Sequence, residues 1–152
     1  MDKLQYLQTD YIQQLEALDI NTAPLFGKMN VHQMIEHMSY AFKQASGLVP
    51  LAPLNDDATT QKMYTFMMSD KPFRDNTPNP YLPDEPEAPT HPSKAESIET
   101  LQQDIANFKT TFETDSDKRI LNPFFGDLNF DEWTHLLHKH AQHHLRQFNA
   151  NI

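Results

Sequence analysis

Four stretches of this 152-residue chain repeat apolar side chains at steps of three and four residues. That repeat restricts the fold more than any other feature, because it is the spacing at which one face of an α-helix is buried. The first stretch runs from Lys3 to Leu18 and carries Leu4, Leu7, Tyr11, Ile12, Leu15 and Leu18. The second runs from Val31 to Ser46. Asn30 stands before it with Gln33 three residues on, a capping-box pattern, and Gly47 and Pro50 end it. The third runs from Lys94 to Phe112, opened by Ser93 and Glu96, with Ile98, Leu101, Ile105, Phe108 and Phe112 as its stripe. The fourth runs from Phe130 to Asn149, opened by Asn129 and Glu132. Only three glycines occur in the chain, which argues against a fold rich in tight turns and against a glycine-rich phosphate loop.

Residues 47–92 hold nine of the eleven prolines. A connection this long without structure is unusual in a compact domain, so a short helix is expected near Asp57 to Ser69, where Met63, Phe66 and Met67 share a face. Lys71 to Thr90 reads as an extended crossover. The apolar stretch Leu48 to Leu54 and the Met63–Phe73 region are expected to cap the helices or to pack on a second copy, and the second option implies a homodimer. One domain over residues 1–152 accommodates all of this.

The formal charge of -9 disfavours nucleic acid as a partner. No apolar run approaches the roughly 20 residues that span a bilayer. The acidic N-terminus lacks the pattern of a signal peptide. Together with the absence of cysteine, these features lead to the expectation of a cytoplasmic protein without disulfides or thiolate ligands.

Five of the eight histidines fall in the fourth helical stretch. At about 100° per residue, His140 and His144 project from the apolar face shared by Phe130, Trp133, Leu136, Leu137, Ala141 and Phe148. His135 and His138 project from the opposite face, and His143 sits on a flank. A buried imidazole without a partner costs about 1–3 kcal/mol. Two readings of the pair are open: both rings hold one cation, or both are core histidines satisfied by carboxylates or water. In the second stretch, His37 lies at the edge of the apolar face with Gln33, Tyr40 and Gln44 alongside, aimed at a cleft where a third ligand would be needed. His32 points away from that face and is expected to be solvated, and His91 is expected to be exposed.

The run Met29 to Met38 and the C-terminal runs Asn129 to Trp133 and His140 to Phe148 resemble the second and last helices of the DinB/YfiT-like superfamily. The resemblance spans nearly the whole chain. The family's common Arg-Gly-Gln ending reads Leu145-Arg146-Gln147 here. The resemblance implies an all-α fold, an up-down-down-up four-helix bundle; the long Pro-rich crossover between helices 2 and 3, read from the prolines of residues 47–92, departs from the family's compact members. A single long crossover is compatible with such bundles. The resemblance further implies a three-His divalent metal site at His37, His140 and His144, and Gln33, Tyr40 and Gln44, on the same side of the second stretch as His37, are candidate pocket lining. The implied activity is a metal-dependent transferase or hydrolase that activates a thiol or water against a small electrophilic substrate. Zinc or nickel is the expected ion, and a low-molecular-weight thiol the expected co-substrate. The alternative is a non-enzymatic, metal-stabilised binding or stress-response module.

Overall fold

A computed structural model describes residues 1–150, and within them the chain is mostly helical. The elements are α1 (Lys3–Gln8), α2 (Asp10–Ala17), α3 (Val31–Ala45), α4 (Asp57–Met68), α5 (Lys94–Glu113), β1 (Ile120–Asn122), β2 (Gly126–Leu128) and α6 (Phe130–Gln147). The first expected helix is broken in two at Thr9, whose backbone leaves the helical region at φ -122° and ψ -82°. The Thr9 hydroxyl donates back to Gln5 O at 2.7 Å, the local bond by which threonine competes with helix propagation.

α3 and α6 each open with a reciprocal capping box, Asn30 with Gln33 and Asn129 with Glu132. At the start of α5, Ser93 accepts from Glu96 N. The ends are equally local. Gly47, at φ 79°, lets Leu48 N reach Lys43 O, and Asn149, at φ 53°, lets Ala150 N reach Leu145 O. Both are Schellman closures that need a left-handed residue. Two lysines finish other helices: Lys94 Nζ donates to Leu15 O, Glu16 O and Leu18 O at the end of α2, and Lys139 Nζ to Phe66 O, Ser69 O and Lys71 O at the end of α4.

α3 packs on α5 and α6, while α1 and α2 pack on α5 and α1 also on α6. The buried cluster between them includes Leu7, Tyr11, Met34, Met38, Phe42, Leu101, Phe108, Trp133 and Leu145. α4 lies on α6 and on β2, contributing Met67 to the core. The antiparallel pair β1–β2 was not expected from the sequence. Trp133 Nε1 donates to Ile120 O at 3.0 Å, so the hairpin supplies the polar partner that this buried indole needs.

Candidate metal centre

α3 and α6 cross so that His37, His140 and His144 face one another. Ring centroids are 4.9 Å apart for His37–His140 and His37–His144, and 4.7 Å for His140–His144. His37 Nε2 stands 3.0 Å from His140 Nε2. One nitrogen from each of the three rings lies within 4.8 Å of the other two, a spacing that could hold a metal ion. Tetrahedral ligation at about 2.0–2.1 Å places ligand nitrogens about 3.4 Å apart, so small ring movements suffice. His144 is buried, while His37 and His140 are reached in part by solvent.

The tautomer of His144 follows from its neighbour. Gln147 Nε2 donates to Phe26 O at 2.9 Å, which turns Gln147 Oε1 toward His144 Nδ1 at 2.8 Å. Nδ1 therefore carries the proton, and Nε2 presents its lone pair. That Nε2 is buried with no hydrogen-bond partner among the described residues. A buried acceptor left this way is costly, and a cation is one group that satisfies it. Burial, reinforced by the charge of His143, holds His37 down at about 4. Burial and the neighbouring histidines hold His140 well below the ordinary imidazole range. Burial and His37 do the same for His144, against the opposing bond to Gln147. Three neutral rings are the form that ligates, so no imidazolium has to lose its charge first.

The other histidines are placed differently. His32 is buried, which corrects the expectation of a solvated side chain. Its Nε2 contacts Ser97 Oγ at 2.7 Å, and Ser97 Oγ donates to Glu36 Oε2 at 2.9 Å, so His32 Nε2 is the donor to Ser97. α5 brings that serine, which the sequence around His32 does not reveal. Ser97, His32 and Glu36 form a serine–histidine–carboxylate set, but Ser97 is 1% exposed and is closed to any substrate. His91 is half-buried rather than exposed, its backbone N–H donating to Glu36 Oε2 at 3.1 Å. Gln33 closes the capping box through Oε1 and donates from Nε2 to Glu87 O at 3.0 Å, and Tyr40 and Gln44 are half-buried.

Two residues at the centre carried no role in the sequence reading. Gln147 follows His144 by three residues, one helical turn, and that spacing was the available signal. Phe73, from the crossover, places its ring 6.5 Å from that of His140 and 6.1 Å from that of His143. Nothing in the local sequence points to it.

No helix among the described residues is long and apolar enough to cross a membrane. No curated protein and no solved structure matches the chain. The family model described as the DinB superfamily matches residues 2–148, and the chain therefore belongs to the DinB superfamily.

Proposed function

We propose that the chain is a metal-dependent enzyme in which His37, His140 and His144 hold one divalent ion, zinc or nickel, and leave coordination positions open to a small molecule. The observation that carries this is the buried Nε2 of His144, unpartnered among the described residues, beside two histidines that are themselves only partly buried. Three neutral nitrogen ligands suit a borderline-soft ion, and a site with three protein ligands is the arrangement of catalytic zinc. A divalent ion held there would supply Lewis-acid polarisation and would lower the pKa of a thiol or water bound to it. The chain's own contribution is to orient three rings, to fix the His144 tautomer through Gln147 and to keep the rings unprotonated. The reaction class is attack of a thiol sulfur or a water oxygen on an electrophilic carbon. The nucleophile gives its proton to solvent, and the leaving group departs with its electron pair.

On this reading α1 with α2, α3, α5 and α6 form an up-down-down-up four-helix bundle, one domain with the proline-rich crossover between its second and third helices. The setting is cytoplasmic, the partner a small electrophile with a low-molecular-weight thiol, and a homodimer the assembly. One observation favours a second reading, a metal-stabilised binding or stress-response module: the Phe73 ring lies against His140. Metal analysis of protein purified without a histidine tag, followed by thiol-transfer and hydrolysis assays with and without chelator, separates the two. One ion per chain with chelator-sensitive turnover supports the enzyme. One ion without turnover leaves the module, and a chain that takes up no ion under stoichiometric supply refutes both.

A further inference from the structure

We infer that Phe73 is the gate of the three-histidine centre, and that Glu36 and Lys139 are the positioning residues that hold it there. What the gate controls rests on the metal reading, but its geometry does not. Each positioning residue immediately precedes a histidine of the centre, Glu36 before His37 and Lys139 before His140. Successive residues on a helix point about 100° apart. A segment fastened by Glu36 and Lys139 therefore runs alongside the side of the helices from which the two rings project.

The segment is the crossover between α4 and α5. At its start, Lys139 Nζ donates to Ser69 O and Lys71 O at 2.7 Å each and to Phe66 O at 3.4 Å, which engages all three ammonium protons. The same ammonium stands 5.6 Å from the centroid of Phe73 and 5.4 Å from that of Phe66. Lys139 is 8% exposed, so these contacts are made largely out of water, where they are strongest. At the other end, Glu36 Oε1 accepts from Thr90 N at 2.8 Å and Thr90 Oγ1 at 3.0 Å, and Oε2 from His91 N at 3.1 Å. Charge-assisted bonds of this kind are the strong ones. Between Arg74 and Asp84, the hydrogen bond that ties the span to the rest of the described residues is Tyr81 Oη to Ala52 O. The strap is thus firm at both ends and lightly held in the middle, the pattern of a segment that opens locally, and Phe73 lies where the Lys139 anchor gives way to that lightly held span.

Phe73 sits just past the Lys139 anchor. Its ring meets His140 edge-on at 85° and His143 at 81°, and is backed by Phe125 at 6.2 Å and 21°. A molecule that enters past His140 displaces those contacts. The proposal is tested by acylation of neutral imidazole with diethyl pyrocarbonate in the metal-free protein, read histidine by histidine by mass spectrometry. Phe73→Ala is expected to raise the rates at His37 and His140 about tenfold, which corresponds to about 1.4 kcal/mol of lost closure. His138, packed against Tyr6, is expected to keep its rate. Glu36→Gln and Lys139→Met raise the same two rates with Phe73 intact, and Phe73→Leu, which preserves the fold with a smaller cover, raises them less than Phe73→Ala. Unchanged rates at His37 and His140 across these variants overturn the gate, as does an equal rise at His138, which reports general loosening. Zinc uptake by the unmodified chain is measured beside this. A gate that opens as described in a chain that takes no zinc stands, while the metal reading falls.

Discussion

The two faces of α6 carry histidines in equal measure and treat them oppositely. On the outer face, His135 accepts from Lys3 Nζ through Nδ1 at 2.8 Å and donates from Nε2 to Met67 O at 2.9 Å. Each nitrogen has one partner of the right polarity, and the ring serves to join α1 and α4 to α6. On the inner face, His140 Nε2 meets another imidazole nitrogen, and His144 Nε2 has no hydrogen-bond partner among the described residues. The difference teaches that the count of buried histidines is uninformative, whereas the state of their lone pairs is. Among the described residues, His138 Nε2 is buried and unpartnered as well, but it belongs to no group of three ligating residues. Convergence of three ring nitrogens, not a single orphan, marks the inner face.

The most direct way to break that comparison is to remove rings from each face. His37→Ala, His140→Ala and His144→Ala are each expected to abolish stoichiometric metal, measured by elemental analysis after dialysis. His135→Ala and His32→Ala are expected to retain it, because their nitrogens are spent on Met67 and Ser97. Full metal in His144→Ala would place the site elsewhere.

A second test separates core from site. Trp133 is 1% exposed and its indole N–H serves the hairpin carbonyl of Ile120. Trp133→Ala is expected to cost about 3–5 kcal/mol in chelated protein, as a large core truncation. His140→Ala removes little apolar volume and is expected to leave the chelated fold standing. Denaturant midpoints measured with chelator check both, and the reverse ranking would mean that the ring, not the indole, carries the packing.

These two residues also show where the sequence was legible. Trp133, His140 and His144 share a face by helical angle alone, and the capping boxes at Asn30 and Asn129 fixed where α3 and α6 start. Angle and caps are local, so one segment suffices to read them. The break at Thr9 was hidden because Leu7 and Tyr11 keep helical spacing across it. The strands Ile120–Asn122 and Gly126–Leu128 are too short for an alternating pattern to declare itself. His32 was misread because its satisfaction comes from Ser97, 65 residues away. Phe73 was missed for the same reason.

Protonation gives a third test, smaller in effect. The ordinary imidazole value is 6.5, and burial holds His37 at about 4. Between those values the unfolded chain binds a proton that the folded chain refuses. Stability from this group is therefore whole above pH 6.5 and is lost as pH falls toward 4, by about 3 kcal/mol. Denaturation of chelated protein at pH 7.5 and pH 4.5 is expected to show the loss, and His37→Ala to reduce it. A pH-independent midpoint would mean that the inner face is as well solvated as the outer.

The finest distinction concerns Gln147, which makes His144 differ from His135 without touching the proposed metal position. Gln147 is 3% exposed and held from both sides, by Phe26 O on its amide nitrogen and by His144 Nδ1 on its oxygen. Gly27 keeps that grip close: at φ 74°, a Cβ there would stand 2.9 Å from Gln147 Nε2. In Gln147→Leu, His144 loses the acceptor that places its proton on Nδ1, and the ring exchanges between a tautomer that ligates through Nε2 and one that does not. Affinity is expected to fall about 10- to 100-fold, the range for outer partners of metal-bound histidine, with stoichiometry unchanged at saturating metal. Gln147→Glu keeps an acceptor at Oε1 and is expected to retain most of the affinity, at the cost of the bond to Phe26 O. Competition against a chelator of known affinity measures both variants. Equal affinity in Gln147→Leu and the unaltered chain would mean that the His144 tautomer is set by the metal itself, and that the inner face owes its lone pairs to packing alone.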